Sequence, residues 1–132
     1  MKCLAMEIKI ERRDELSRKV FALCDKALEG SLSLSELQRL WPPEASQDAF
    51  FAQIYSDLQD GVEHLPGFAF RSGIDWNAWQ KSETHWLLYV DSLLLAYDSP
   101  TDELLRCYHA VVAQKPRDAA TARTLVADRL AR

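Results

Sequence analysis

Apolar residues recur along this chain at helical spacing and almost nowhere at the two-residue spacing of a strand. From about Arg13 to Glu29, Leu16, Val20, Phe21, Leu23, Cys24, Ala27 and Leu28 fall on one stripe, and Gly30 then supplies a stop. Ser33 and Glu36 have the spacing of a capping box ahead of a short helix from Ser35 to Trp41. Its apolar side is Leu34, Leu37, Leu40 and Trp41, and Pro42-Pro43 ends it because a proline bars the residue before it from helical geometry. Ser46 is placed to cap a third helix reaching His64, with Phe51, Ile54, Tyr55, Leu58, Val62 and Leu65 inside an arc of roughly 100°. Leu65-Pro66-Gly67 closes that helix, and Gly67 to Gly73 reads as a loop, with a short extended piece around Phe68-Ala69-Phe70 as the alternative.

Asp75 then caps a segment starting Trp76-Asn77-Ala78-Trp79, and the pattern continues through Trp86, Leu87, Val90, Leu93, Leu94 and Tyr97. Ser82 offers a second start, so this is one long helix or a short turn followed by a long one. Leu88, Tyr89 and Leu95 make the later part apolar nearly all round, as in the buried centre of a bundle. Ser99-Pro100-Thr101-Asp102-Glu103 has the cap, proline and acids of a helix start, and Leu104, Leu105, Tyr108, Val111 and Val112 follow. After Lys115-Pro116 a last helix carries Ala119, Ala122, Leu125, Val126 and Leu130. Strand-like alternation is confined to Met6–Ile10. The pattern predicts an all-α, single-domain bundle of five or six helices over residues 1–132, with a central apolar helix near residues 82–98 and a loosely ordered N-terminal segment over 1–10.

Composition agrees with one packed domain. The chain has 132 residues, 48% hydrophobic and 27% charged, which excludes disordered and low-complexity classes. No run of apolar residues is long enough to cross a membrane, and the opening Met1-Lys2-Cys3-Leu4-Ala5 is too short for a signal-peptide core. Cys3, Cys24 and Cys107 are widely spaced, without the C-x-x-C pair of a zinc ribbon or thioredoxin-like motif. Cys24 and Cys107 sit in apolar patterns and read as small buried hydrophobes. A cytoplasmic, reduced protein without a cofactor is the expectation.

Charge changes the picture more than composition does. The net charge is −4, but residues 44–103 hold eleven acids against only Arg71 and Lys81, while the final stretch from Leu104 is basic. Glu44, Asp48, Asp57, Asp60, Glu63, Asp75, Glu83, Asp91, Asp98, Asp102 and Glu103 make up the acidic set. Such a segment repels phosphate backbones and anionic lipid, and it steers a basic partner. Helix-capping roles for Asp48, Asp75, Asp102 and Glu103, and a plain solvated face, are the competing explanation.

Candidate chemistry is sparse. Asp57, Asp60 and His64 share one helix face at i, i+3 and i+7 and could contribute to a divalent metal site, although one helix cannot complete it. His64, His85 and His109 come from three helices, and nothing in their spacing joins them. No nucleophile elbow, phosphate loop, dinucleotide fingerprint or H-E-x-x-H occurs, so no catalytic residue is assigned. Trp76 and Trp79 lie on one side of a helix start. Together with Tyr55, Asp57, Asp60, Glu63 and Asp75 they could form an aromatic and acidic contact surface, or they could serve as core anchors.

The runs Gly30-Ser31-Leu32-Ser33-Leu34-Ser35-Glu36-Leu37 and Ile54 to Gly67, then Asp75-Trp76 and Leu87 to Leu95, resemble small bacterial colicin-immunity-like helical proteins over about half of the chain. That resemblance implies an acidic, non-enzymatic protein that binds and blocks a basic toxin domain in a toxin–antitoxin setting, and it transfers no contact residue. The expected function is therefore binding of a basic protein partner, with neither nucleic acid nor membrane involved. The alternatives are a metal-binding protein or enzyme using Asp57, Asp60 and His64, and a helical adaptor or homodimer subunit.

Overall fold

A computed structural model of the chain describes residues 10–64, 69–70 and 73–130; the expectations for residues 1–9, including Cys3, lie outside them. The fold is all-α. Seven helices appear among the described residues: α1 (Ile10–Leu28), α2 (Leu34–Leu40), α3 (Ala49–His64), α4 (Trp76–Lys81), α5 (Glu83–Leu94), α6 (Thr101–Ala113) and α7 (Ala119–Leu130). A 3₁₀ segment, Pro43–Gln47, leads into α3. Between α3 and α4, β1 (Ala69–Phe70) pairs antiparallel with β2 (Gly73–Ile74), so the extended alternative for this region is the one adopted. The seventh helix arises at Ser82, whose backbone is extended and whose hydroxyl accepts from the His85 N–H at 3.2 Å, restarting the chain as α5.

Local chemistry sets the other boundaries. Gly30 stands at φ 74°, and the amides of Gly30 and Ser31 bond back to the carbonyls of Ala27 and Lys26 at 3.0 and 2.9 Å. This paired closure requires a left-handed residue, which glycine adopts without a Cβ clash. The carbonyl of Leu28 in that last turn is taken up by the Trp79 indole N–H at 2.9 Å, tying α4 to the end of α1. The capping box of α2 forms as its spacing predicts, and a Lys26–Glu36 ion pair at 3.1 Å joins α2 to α1.

Two expected caps are displaced. Asp48, not Ser46, caps α3, accepting the amides of Phe50 and Phe51 at 2.8 and 3.3 Å, while the Ser46 hydroxyl accepts the Trp41 indole N–H at 2.9 Å. Pro100 rather than Ser99 occupies the cap of α6 and offers no side-chain bond. Thr101 instead donates to the second Asp48 oxygen at 2.7 Å, so one carboxylate joins the starts of α3 and α6.

The central helix is α5, packed against α1, α3, α4, α6 and α7. Its buried residues Thr84, Leu88, Val90, Asp91, Ser92 and Leu94 cover more than half of its circumference, and His85, Trp86, Tyr89 and Leu93 on the remaining side are half-buried, as in a helix packed on most sides. Gly61 of α3 meets it closely: a Cβ there would sit 2.9 Å from Leu88 Cδ1 and 3.5 Å from Thr84 Cγ2. With Gly61 against Thr84 and Leu88, and Asp57 one turn earlier acting on Asp91, α3 and α5 run antiparallel, whereas the Asp48–Thr101 bond and a Tyr108–Asp57 bond make α3 and α6 parallel. Several apolar positions stay outside the core: Phe21, Leu34 and Leu40 are exposed, so the stripes of α1 and α2 are narrower than their sequence pattern.

Candidate functional site

The seven expected contact residues divide between surface and core. Trp76 is 45% exposed, on the first turn of α4. Asp75 beside it caps that helix, accepting the Ala78 N–H at 3.1 Å. Glu63 is exposed and Asp60 half-buried near the end of α3, and Tyr55 lies half-buried with its ring edge on Trp41 at 4.9 Å. The placement of the other two on the surface is corrected. Trp79 has no exposed area, because its indole fills the gap between α4 and α1 and bonds Leu28. Asp57 is 5% exposed and points into the bundle.

The inward turn of Asp57 also breaks up the proposed metal trio. Asp60 and His64 still meet, with His64 Nδ1 at 2.8 Å from the Asp60 carbonyl and 3.2 Å from its carboxylate. The backbone contact first, and the Asp60 charge second, raise the basicity of His64. His85 packs on Trp79 and Trp86, and His109 on Tyr108. Among the described residues no group of three His, Cys, Asp or Glu side chains is arranged to hold a metal.

The acidic segment does not gather into one area. Asp60, Glu63, Asp75 and Glu83 lie toward the end of the bundle where α3 stops and α5 begins. Glu44, Asp48, Asp98, Asp102 and Glu103 lie toward the opposite end, about 24 Å away along the sixteen-residue α3. Asp57 and Asp91 are inside. Folding thus divides a continuous run of sequence charge into two surface groups and a buried pair.

That buried pair is the feature the periodicity did not reveal. Asp57 of α3 accepts the Tyr108 hydroxyl of α6 at 2.7 Å on one oxygen and the Gln53 amide at 3.1 Å on the other. Asp91 of α5 is wholly buried, and among the described residues neither of its oxygens receives a donor. Asp57 is the charged neighbour that acts on it, and two carboxyl groups can share a hydrogen bond only when one of them carries a proton. Burial first, and then the neighbouring Asp57 carboxyl, hold the Asp91 carboxyl well above the usual carboxylate range. Cys24 of α1 is wholly buried as well; burial, then Asp91, Asp57 and Asp25, push its thiol up. Tyr108 is held in its neutral form by burial and by the same two acids.

A legible signal was present. Asp91 is the one formally charged residue between Glu83 and Asp98, in the most apolar helix of the chain. Surface depressions are lined by other residues: Glu103, Arg106, Cys107, Arg129 and Leu130 in one of about 250 Å³, Ser17, Arg18, Phe21, Leu95 and Ala96 in one of about 260 Å³, and Phe21, Tyr89, Leu93, Tyr97, Arg123 and Val126 among others in one of about 610 Å³. No helix among the described residues is long and apolar enough to cross a membrane. No protein-family model matches this chain, and neither a curated protein nor a solved structure is significantly similar to it.

Proposed function

We propose that this chain is a non-enzymatic protein-binding protein that engages a basic partner, in the manner of an immunity protein blocking a cationic toxin domain. The observation that carries the reading is Trp76, an exposed indole on a helix held at both ends by Asp75 and Ser82. Trp79, three residues on, anchors the same helix to α1, so the Trp76 indole is presented on a fixed element and little ordering cost accompanies its burial. Asp60, Glu63, Asp75 and Glu83 toward the same end of the bundle supply the negative field that steers a cation-rich surface. Large, preorganised aromatic groups beside complementary charge are the usual centre of a protein interface.

Affinity capture from the source cell with wild-type protein, Trp76→Ala and Asp60→Asn/Glu63→Gln tests this. One basic protein is expected, with affinity falling as salt rises, lost by about thirtyfold in Trp76→Ala and slowed in association by the charge variant. An acidic partner, salt-insensitive binding, or equal capture by Trp76→Ala would overturn the proposal.

Self-association is a second reading, favoured by a different face. Phe21 is 47% exposed at the mouth of the 610 Å³ groove between α1, α5 and α7. Sedimentation across a wide concentration range decides it: a dimer weakened by Phe21→Ser supports this reading, and a monomer throughout removes it.

A further inference from the structure

We propose that Asp57 and Asp91 hold one proton between them inside the bundle, so that folding takes up a proton and the packing of α5 against α3 is controlled by pH. The geometry restricts the alternatives. Asp57 already has two donors, Tyr108 at 2.7 Å and Gln53 at 3.1 Å, and is satisfied as an anion. Among the described residues nothing donates to Asp91, and it has no exposed surface, so as a second anion it would face Asp57 with no cation among those residues and no contact with bulk solvent. As a carboxylic acid it becomes the donor to Asp57, and the pair then carries one negative charge shared with Tyr108 and Gln53.

Among the described residues packed around α5, no side chain brings a positive charge to this pair. From α1 comes the Cys24 thiol, from α3 Asp57, and from α6 the Tyr108 phenol. Both acids hold those two groups in their protonated forms, so neither supplies positive charge. The charged side chains of α4 and α7 stay at the surface, Lys81 on the first and Arg123 on the second, where Arg123 bonds the Tyr89 hydroxyl at 3.0 Å. A single proton is the smallest cation that lets two carboxyl groups share this space.

The sign of the pH effect follows. An aspartate in the unfolded chain loses its proton near pH 4, whereas the folded pair keeps it to higher pH, in accord with the upward shift of Asp91. Between those limits each unfolding event releases one proton. The unfolding constant therefore rises about tenfold per pH unit from this pair alone, making the bundle more stable as the medium becomes more acidic within that window.

Denaturant unfolding of wild type and Asp91→Asn from about pH 5 to about pH 8 is the test. The amide of the variant donates to Asp57 as the acid does but cannot ionise. Expected is a ratio of wild-type to variant unfolding constants that grows about tenfold per pH unit; a constant ratio overturns the proposal. Carbon-13 NMR of the aspartate carboxyls in wild-type protein provides an answer should the variant fail to fold. A carboxyl resonance of the neutral acid persisting at neutral pH supports the shared proton, and full ionisation of every aspartate by about pH 6 refutes it.

Discussion

Replacing Tyr108 by phenylalanine removes one oxygen from the middle of the bundle and leaves the ring in place. The hydroxyl donates at 2.7 Å to Asp57, whose other oxygen keeps the Gln53 amide at 3.1 Å. Tyr108 is 4% exposed and Asp57 5%, so water does not readily take over the lost bond. A hydrogen bond to a charged group contributes about 1.5–3 kcal/mol, against about 1 kcal/mol for one between neutral groups. The expected loss at neutral pH is therefore about 2 kcal/mol. For a chain of this length that corresponds to a fall in Tm of about 7 °C, taking an unfolding entropy of about 2.1 cal/mol/K per residue.

Urea denaturation followed by far-ultraviolet circular dichroism measures the change directly, as a lower midpoint at an unchanged slope. Asp57→Asn and the double variant complete a thermodynamic cycle that isolates the pair. Because burial and the two acids hold Tyr108 neutral, its own ionisation does not enter over the working range. A loss below about 0.5 kcal/mol would refute the claim that this hydroxyl stabilises a buried anion, as would a cycle with no coupling between the two positions.

Other expectations follow from separate contacts. Gly61→Ala sets a gain in helix propensity of about 1 kcal/mol against a Cβ placed 2.9 Å from the enclosed Leu88 side chain, an overpacking that costs about 1–3 kcal/mol; net destabilisation is expected in thermal melts, and a raised Tm would show that α5 yields easily. Leu88→Ala opens the fully buried seam between α3 and α5 and should cost about 2–5 kcal/mol in the same assay. The His64 ring should titrate above its ordinary value in proton NMR and move down in Asp60→Asn. This raised basicity favours the folded state below the ordinary histidine value, and the advantage fades as pH rises through the shifted one. Cys24 should resist iodoacetamide in the folded protein and react only after unfolding, since its thiol is wholly buried beside two acids; native labelling at the rate of a free thiol would contradict that placement.

Most of the helical architecture was legible because each helix carries its own punctuation. Gly30, the Ser33–Glu36 box, Pro42-Pro43, Asp75 and Ser82 all act locally, and a local hydrogen bond needs no knowledge of the rest of the fold. The caps that moved are those settled by tertiary contacts. Asp48 caps α3 while also receiving Thr101 from 53 positions along the chain, and Ser46 is drawn instead to the Trp41 indole. Periodicity likewise marked Phe21 and Leu34 as core residues, but no neighbouring helix closes over them. The sequence stripe of α3 is Phe51, Ile54, Tyr55, Leu58, Val62 and Leu65, the last outside the described residues; the buried face is turned toward Phe50, Asp57 and Gly61, with Tyr55 at its edge. Hydropathy alone cannot find such a face, because an aspartate and a glycine both count against burial.

The candidate site suffered from the same blindness in a more consequential form. Summing acids along residues 44–103 treats charge as a surface property, yet Asp57 and Asp91 are neighbours in the core and contribute little to any outward field. What remains outside is divided by the length of α3, so steering of the basic partner proposed above would come from the group around Asp60, Glu63 and Glu83 or from the group around Asp102 and Glu103, not from both acting as one patch. At physiological ionic strength the screening length is about 8 Å, a third of that separation, so the two ends are electrically independent. Of the two, only the first has an exposed tryptophan toward its end of the bundle. Charge reversal at Asp60 and Glu63 should therefore slow association with a basic partner, while the same change at Asp102 and Glu103 should leave the rate nearly unaltered. Equal slowing from both ends would mean that the field acts over the whole molecule and that Trp76 is not the centre of contact.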